Sequence, residues 1–312
     1  MMNSSTLRPD MSRARFVAVD WGTSSFRAWP MSADGMPLAQ SRGPEGMLHC
    51  MTEGFEPVLR QHLERLGAPA HLPILISGMA GARQGWKEAP YLQTPTRPDE
   101  LHRGAVKIDA LGDVRILPGI AQRDASRPDV MRGEETQLLG AVRGDFSGLV
   151  CIPGTHSKWI RLETGCVMTF STYLTGELFS VLGKHSILAH AVEPDQPPLP
   201  DAPAFRSGLD AGMHRGLQEQ LFRLRAAQLL GFEQRGDGAA RLSGLLIGAE
   251  LADAGRQYGG NGPILLIAAG MLGQLYEAAL RQAGWDVETV DAEKAAQAGL
   301  ARAAANLWGE HF

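Results

Sequence analysis

The stretch FVAVDWGTSSFRAW, residues 16–29, decides how this chain is read. A short apolar run ends on Asp20, then Gly22, Thr23, Ser24 and Ser25 follow, and a second strand-like run begins at Phe26. Small and hydroxylated residues between two such runs predict a hairpin turn, because glycine supplies positive φ and serine supports the bend. The same chemistry suits an anion. Glycine lets the backbone approach a phosphate, successive N–H groups form a nest, and hydroxyls add donors. One such turn alone is more often plain turn chemistry.

A second copy changes the weighting. Gly154-Thr155-His156-Ser157 stands 132 positions on, from 22 to 154, between LVCIP and KWIRL. Each half thus carries strand, Gly-Thr-x-Ser turn, strand, the pattern of a duplicated domain. Two such turns facing each other across a cleft could hold the β- and γ-phosphates of ATP. Asp20 adds to this reading, since a carboxylate at the end of an apolar strand is costly to bury without a cation. Beside phosphates that cation is Mg²⁺, held by one or two carboxylates plus substrate oxygens. The plainer alternative for Asp20 is an Asx-turn that caps the hairpin. A third element, ILLIAAGMLGQLYEAAL (264–280), reads as a buried strand, Ala269-Gly270, and a helix. Gly270 leaves room for adenine or ribose against the backbone, whereas the missing GxGxxG spacing argues against a dinucleotide.

The rest of the 312 residues sets the frame. Apolar residues make up 44% of the chain, enough for a buried core, and a formal charge of −4 argues against a nucleic-acid surface. Three cysteines, Cys50, Cys151 and Cys166, show no metal-ligand or CxxC spacing, which predicts a reduced, cytoplasmic protein. No apolar h-region follows the basic N-terminus, and the most apolar run, 264–269, is too short to span a bilayer. Residues 1–15 read as a disordered tail. Strands are expected at 16–20, 26–31, 73–77, 148–152, 158–162, 263–268 and 286–290. Helical patterns occupy 54–67, 133–142, 176–184, 241–255, 271–284 and 291–308, and the Pro-rich 193–203 reads as a loop. Alternating strands and helices predict an α/β fold, with one domain over 16–146 and a second over 147–312. Helices of the second half could support a homodimer.

Hairpin, hairpin and strand–Gly–helix, in that order, resemble the phosphate-1, phosphate-2 and adenosine motifs of the superfamily of sugar kinases, heat-shock chaperones and actin. Within it, VDWGTSSFRAW, SGMAGARQGWKEAPYL, VMRGEETQLLGA, PGTHSKW, LTGEL and LSGLLIGAEL resemble, in order, the signature stretches of the 2-dehydro-3-deoxygalactonokinase family. The resemblance implies two ribonuclease-H-like α/β domains around a central interdomain cleft, the actin-like ATPase fold. It implies ATP-dependent phosphorylation of 2-dehydro-3-deoxy-D-galactonate at O6, in galactonate catabolism. A kinase for a related 2-oxo-3-deoxy sugar acid, or an exopolyphosphatase-like phosphatase, is the alternative. A nucleotide switch would need an inserted subdomain for which this chain has no room, and a dehydrogenase lacks its glycine fingerprint. One departure from the wider superfamily is Ile152, two positions before Gly154, where an acidic residue often stands.

Roles follow from this reading. Gly22, Thr23, Ser24, Gly154, Thr155, His156, Ser157 and Lys158 are assigned to the phosphates, Gly270 to the adenosine and Asp20 to magnesium. On a strand, His156 and Lys158 share one face and Trp159 lies on the other. In MRGEETQ, Glu134 and Glu135 open a helix, where acidic residues also simply favour the macrodipole. The Gly-x-Glu segment of exopolyphosphatases, which carries their catalytic glutamate, selects Glu135 over Glu134 as the base. The substrate is an acid, so Arg83, Trp86 and Lys87, with the N–H groups of Gly78 and Ala80, are candidates in the loop after the third strand; Arg132 is a further one. A loop so rich in glycine could equally be flexible, and Trp86 could belong to the core. Thr175-Gly176-Glu177 reads first as a helix cap.

Overall fold

The computed structural model describes residues 10–109, 112–193, 197–259 and 262–309. Its strands are β1 (Ala14–Trp21), β2 (Phe26–Ser32), β3 (Ser41–Gly43), β4 (Ile74–Gly78), β5 (Tyr91–Gln93), β6 (Val106–Ile108), β7 (Val114–Ile116), β8 (Gly119–Gln122), β9 (Asp129–Met131), β10 (Gly148–Ile152), β11 (Ser157–Glu163), β12 (Cys166–Tyr173), β13 (Pro263–Ala268) and β14 (Asp286–Asp291). The α-helices are α1 (Met47–Glu53), α2 (Phe55–Leu66), α3 (Glu134–Ala141), α4 (Thr175–His185), α5 (Pro203–His214), α6 (Leu217–Leu229), α7 (Gly238–Tyr258), α8 (Gly270–Gln282) and α9 (Ala292–Trp308). The chain is therefore mixed α/β.

Two compact units divide it. The first takes residues up to 146, 164–168 and those from Ala292 on; the second takes Ser147–Glu163 and Thr169–Asp291. In the first, a six-stranded sheet runs β3-β2-β1-β4-β7-β6, with β1 antiparallel to β2 and parallel to β4. In the second, a five-stranded sheet runs β12-β11-β10-β13-β14, with β10 antiparallel to β11 and parallel to β13. Both sheets thus share the order third, second, first, fourth strand of the unit, followed by a further parallel strand. The central strands β1 and β10 are buried along most of their length, which is why they read as continuous apolar runs rather than alternating ones. A small third sheet, β5-β8-β9, joins the first unit.

Helix α9 departs from the expectation that residues 147–312 form one domain. It clusters with the first unit and lies against α3. Its buried face is Ala295, Ala296, Gly299, Leu300, Ala303 and Ala304, and small side chains let two helix backbones approach closely. Arg302 fastens the contact, donating to the Val142 carbonyl at 2.9 Å and pairing with Asp99 at 2.7 Å. The alanine-rich pattern predicts the helix; which sheet it covers is a matter of partner shape that the pattern does not encode.

Candidate active site

The first hairpin is a four-residue turn. β1 and β2 pair Asp20 with Arg27 and Trp21 with Phe26, and the Gly22 N–H donates to the Ser25 carbonyl at 2.8 Å. Thr23, Ser24 and Ser25 are exposed. Behind the turn stands the start of α1, where the N–H groups of Met47 and Leu48 donate to the carbonyls of Gly22 (3.0 Å) and Thr23 (3.1 Å). The N-terminal N–H groups of a helix lack partners within it, so here they serve to seat the turn. Gly46 makes this possible, because a Cβ there would stand 2.4 Å from the Ser24 nitrogen and the Thr23 oxygen.

Asp20 is paired across the hairpin with Arg27, Nη2 to Oδ2 3.0 Å, instead of capping the turn. Burial pushes its carboxyl up from the usual range; Arg27 opposes that, while the charges of Glu134 and Glu293 add to it. Glu134 is half-buried and accepts the Arg132 N–H at 3.1 Å. Glu135 is fully buried, and both its oxygens accept the Gly133 N–H, at 2.9 and 2.7 Å. Burial, then the neighbouring Glu134 charge, push the Glu135 carboxyl up to about 8 against the pull of that N–H. The Thr136 and Ser77 hydroxyls, 2.7 Å apart, tie α3 to the end of β4, where Ser77 lies beside Asp20 in the parallel register. Folding thus brings Asp20, Glu134 and Glu135 into one electrostatic neighbourhood. Among the described residues no group of three or more His, Cys, Asp or Glu side chains forms a metal cage. A cation at Asp20 would need phosphate and water oxygens to complete its shell.

The loop after β4 is bonded rather than flexible. Gly85, Trp86 and Ala89 donate their N–H groups to the carbonyls of Ala82 (2.8 Å), Ala80 (2.8 Å) and Gly81 (3.0 Å). Gly78 ends β4 and is buried with Ala80. Trp86 packs on the core, its ring 6.0 Å from Phe55 and 6.2 Å from Trp21. Arg83 is exposed and faces Glu88 at 3.6 Å, and Lys87 donates to the Lys107 carbonyl at 2.6 Å. Arg132 stacks on Tyr91 at 4.2 Å and donates through Nη2 to the Ala89 carbonyl at 2.8 Å. Its Nη1 is buried with no hydrogen-bond partner among the described residues. An unsatisfied guanidinium nitrogen is costly, and this one is packed beside Gly81, Ile116 and Ala89.

The second hairpin repeats the first. Ile152 pairs with Lys158, and Thr155 and His156 are exposed at the turn. The start of α4 stands behind it: the Glu177 N–H donates to the Thr155 carbonyl at 3.0 Å, and a Cβ on Gly176 would lie 2.5 Å from the Gly154 oxygen. His156 is hydrogen-bonded to the Glu177 carboxylate. Lys158 is buried, not solvated, and donates to the His156 carbonyl at 3.1 Å. Ser157 turns away from the turn into the core, where its hydroxyl meets Tyr276 at 2.7 Å. Tyr276 and Trp159 donate to Glu250 at 2.7 and 2.8 Å, and Thr175, expected as a cap, donates to Glu250 as well. Burial raises the Glu250 carboxyl, and these donors oppose the rise. Ser157 and Trp159 thus share the inward face.

Beside this network the second unit holds a pocket of about 260 Å³. Gly176, Phe179, Leu246, Met271, Leu272 and Tyr276 are among its lining, which places it at the start of α8. Gly270 opens that helix, exposed and with φ +61. The pocket is apolar enough for a flat aromatic ring.

The 2-keto-3-deoxy-galactonokinase family model matches residues 20–303. The chain belongs to that family. A galactonokinase relative, the probable 2-dehydro-3-deoxygalactonokinase of Rhizobium meliloti (strain 1021), is 49% identical over 94% of this chain and 97% of its own length. The 2-dehydro-3-deoxygalactonokinase of Escherichia coli (strain K12) is 34% identical over 92% and 96%. A solved structure from Sinorhizobium meliloti that carries the same kinase name superposes with a TM-score of 0.89, at 48% identity over 94% of this chain and 99% of that one. Component A of the (R)-2-hydroxyglutaryl-CoA dehydratase of Acidaminococcus fermentans shares the fold alone, with a TM-score of 0.50 at 10% identity.

Several residues of this candidate site escaped the sequence reading. Arg27 was legible, since a turn at 22–25 sets position 27 opposite 20 in any hairpin. Glu250 carried a weaker signal, as the lone charge in the apolar run LSGLLIGAEL. Gly46 and Gly176 carried none, because their importance lies in what stands opposite them.

Proposed function

We propose that this chain is an ATP-dependent kinase that phosphorylates 2-dehydro-3-deoxy-D-galactonate at its terminal O6, in galactonate catabolism. The family match over residues 20–303 carries the reading. Neither the family nor the curated relatives support a phosphatase. We read each unit as a ribonuclease-H-like domain of an actin-like ATPase, which the shared strand order supports. Reduced cysteines are in keeping with a cytoplasmic enzyme. No helix among the described residues is long and apolar enough to cross a membrane.

In this reading the exposed turns at Gly22-Thr23-Ser24 and Gly154-Thr155-His156 offer N–H and hydroxyl donors to the phosphates. Lys158 adds fixed positive charge behind the second turn, and the pocket at the start of α8 takes the adenine. Asp20 would hold magnesium, whose charge offsets that of the phosphate oxygens. Two observations fit such a cation: burial of the carboxylate, and the like charges of Glu134 and Glu293 near it. Arg132, held on Tyr91 and the Ala89 carbonyl, is the candidate cation for the substrate carboxylate. In the transfer step O6 bonds to the γ-phosphorus, the bond from that phosphorus to the bridging oxygen breaks, and ADP leaves with the electron pair. The O6 proton passes to Glu135, which a pKa near 8 makes a stronger base than an ordinary carboxylate. Each Glu135 oxygen keeps a lone pair beyond the shared Gly133 N–H, but the side chain is fully buried, so the site must open for the proton to arrive.

A coupled ADP-release assay over a panel of 2-oxo-3-deoxy sugar acids tests the proposal, with phosphorus NMR to place the phosphate. Turnover is expected with the galactonate acid and a phosphate on O6. No turnover with any member overturns the kinase reading.

A further inference from the structure

Glu293, in the first turn of α9, belongs to none of the signature stretches quoted above. It reaches three donors on the hairpin sheet: Gln40 Nε2 at 2.8 Å, Arg42 Nη2 at 3.3 Å and Arg27 Nη1 at 3.6 Å. Arg27 gives its other terminal nitrogen, Nη2, to Asp20 at 3.0 Å. One guanidinium therefore bridges two carboxylates from different elements, at the end of β1 and the start of α9. The planar fork of arginine is suited to hold two anions in fixed directions.

We propose that Glu293 is a positioning residue for phosphoryl transfer. It anchors Arg27 through Nη1, so that Nη2 stays beside Asp20, at the end of β1, when Asp20 shifts its charge toward the metal–nucleotide. The inference rests on the reading of Asp20 and that turn as the magnesium and phosphate end of the site. An arginine released from one partner, with no second anchor, regains several rotatable bonds, and immobilising it again on a phosphate costs that freedom. Glu293 removes the cost, because Gln40 and Arg42 fix the carboxylate that fixes Arg27. The charges favour the same exchange. Asp20 and Glu293 both face Arg27, Arg42 also faces Glu293, and the Glu134 charge acts on Asp20, so a divalent cation arriving at Asp20 leaves Arg27 with capacity for a phosphate oxygen.

A double-mutant cycle on the full chain tests this, read both as ADP release and as the Kd of a non-hydrolysable ATP analogue with magnesium. Glu293→Gln should lower kcat/KM for ATP and raise that Kd, each about tenfold, while KM for the sugar acid stays within about twofold. Arg27→Ala should lower kcat/KM for ATP and raise that Kd, each about 100-fold, and the double variant should match Arg27→Ala alone, because Glu293 acts only through Arg27. Multiplied losses in the double variant overturn the proposal, as do wild-type values in Glu293→Gln. Where Arg27→Ala leaves no measurable turnover, the Kd carries the cycle. The wild-type enzyme separates the two readings: absent turnover on every sugar acid refutes the kinase, while the cycle on Kd still decides the part of Glu293.

Discussion

Replacing Gly46 with alanine isolates the seat of the turn at residues 22–25, proposed above to hold phosphate. Gly46 has φ −71 and ψ −176, backbone angles open to any residue, so the substitution adds no backbone strain. Its added Cβ would lie 2.4 Å from both the Ser24 nitrogen and the Thr23 oxygen, where 3.4 Å is an ordinary contact. The turn or the start of α1 must therefore yield by 1.0 Å, the difference of those two distances. Both obstacles are backbone, so no side-chain rotamer absorbs the shift. Overpacking of this kind costs about 1–3 kcal/mol of stability. A misplacement of about 1 Å at a group that positions a phosphate costs about 100-fold in rate. The assay is steady-state ADP release at varied ATP, beside a thermal unfolding curve. Gly255→Ala in α7 is the control, since its Cβ meets nothing within 4 Å. Turnover at the wild-type level in Gly46→Ala, with only the unfolding midpoint lowered, would refute the argument that this turn grips the nucleotide.

The second turn should answer alike: Gly176→Ala, whose Cβ would lie 2.5 Å from the Gly154 oxygen, should raise KM for ATP about tenfold or more, measured in the same assay. Glu135→Gln should oppose activity and stability. The folded carboxyl sits at about 8 against an ordinary value of 4.5, so the stability it contributes is full below 4.5 and lost as pH rises toward 8. Glutamine escapes that loss, so the variant should be more stable than wild type at pH 8 by a few kcal/mol, at about 1.4 kcal/mol per pH unit, and equal to it near 4.5 by denaturant unfolding. Its turnover should fall about 100-fold or more; unchanged turnover would remove Glu135 as the base. Glu134→Gln should move the alkaline rise of the pH–rate profile to lower pH, because the Glu134 charge helps hold the Glu135 carboxyl up.

Sequence alone determined a good deal of this protein. GLVCI and PILLIA became β10 and β13 at the expected residues, and Gly67 ends α2 with φ +63, because strand runs and helix stops are local properties of the chain. The duplicated Gly-Thr-x-Ser hairpins were visible for the same reason. Three-residue strands such as β3, β5 and β6 escaped, since so short a stretch has no period to read. Helix α6 also escaped; its exposed Phe222 and Leu229 blur the contrast between inner and outer faces. Tertiary structure decided the rest. It set α9 against α3, gave Ser157 to Tyr276 rather than to the turn, buried Lys158, and put Glu134 and Glu293 in the field of Asp20. Those outcomes join residues scores of positions apart, and each depends on which surfaces can approach and which charges are stripped of water. A chain carries its periodicities in its order, but approach and desolvation exist only once it has folded.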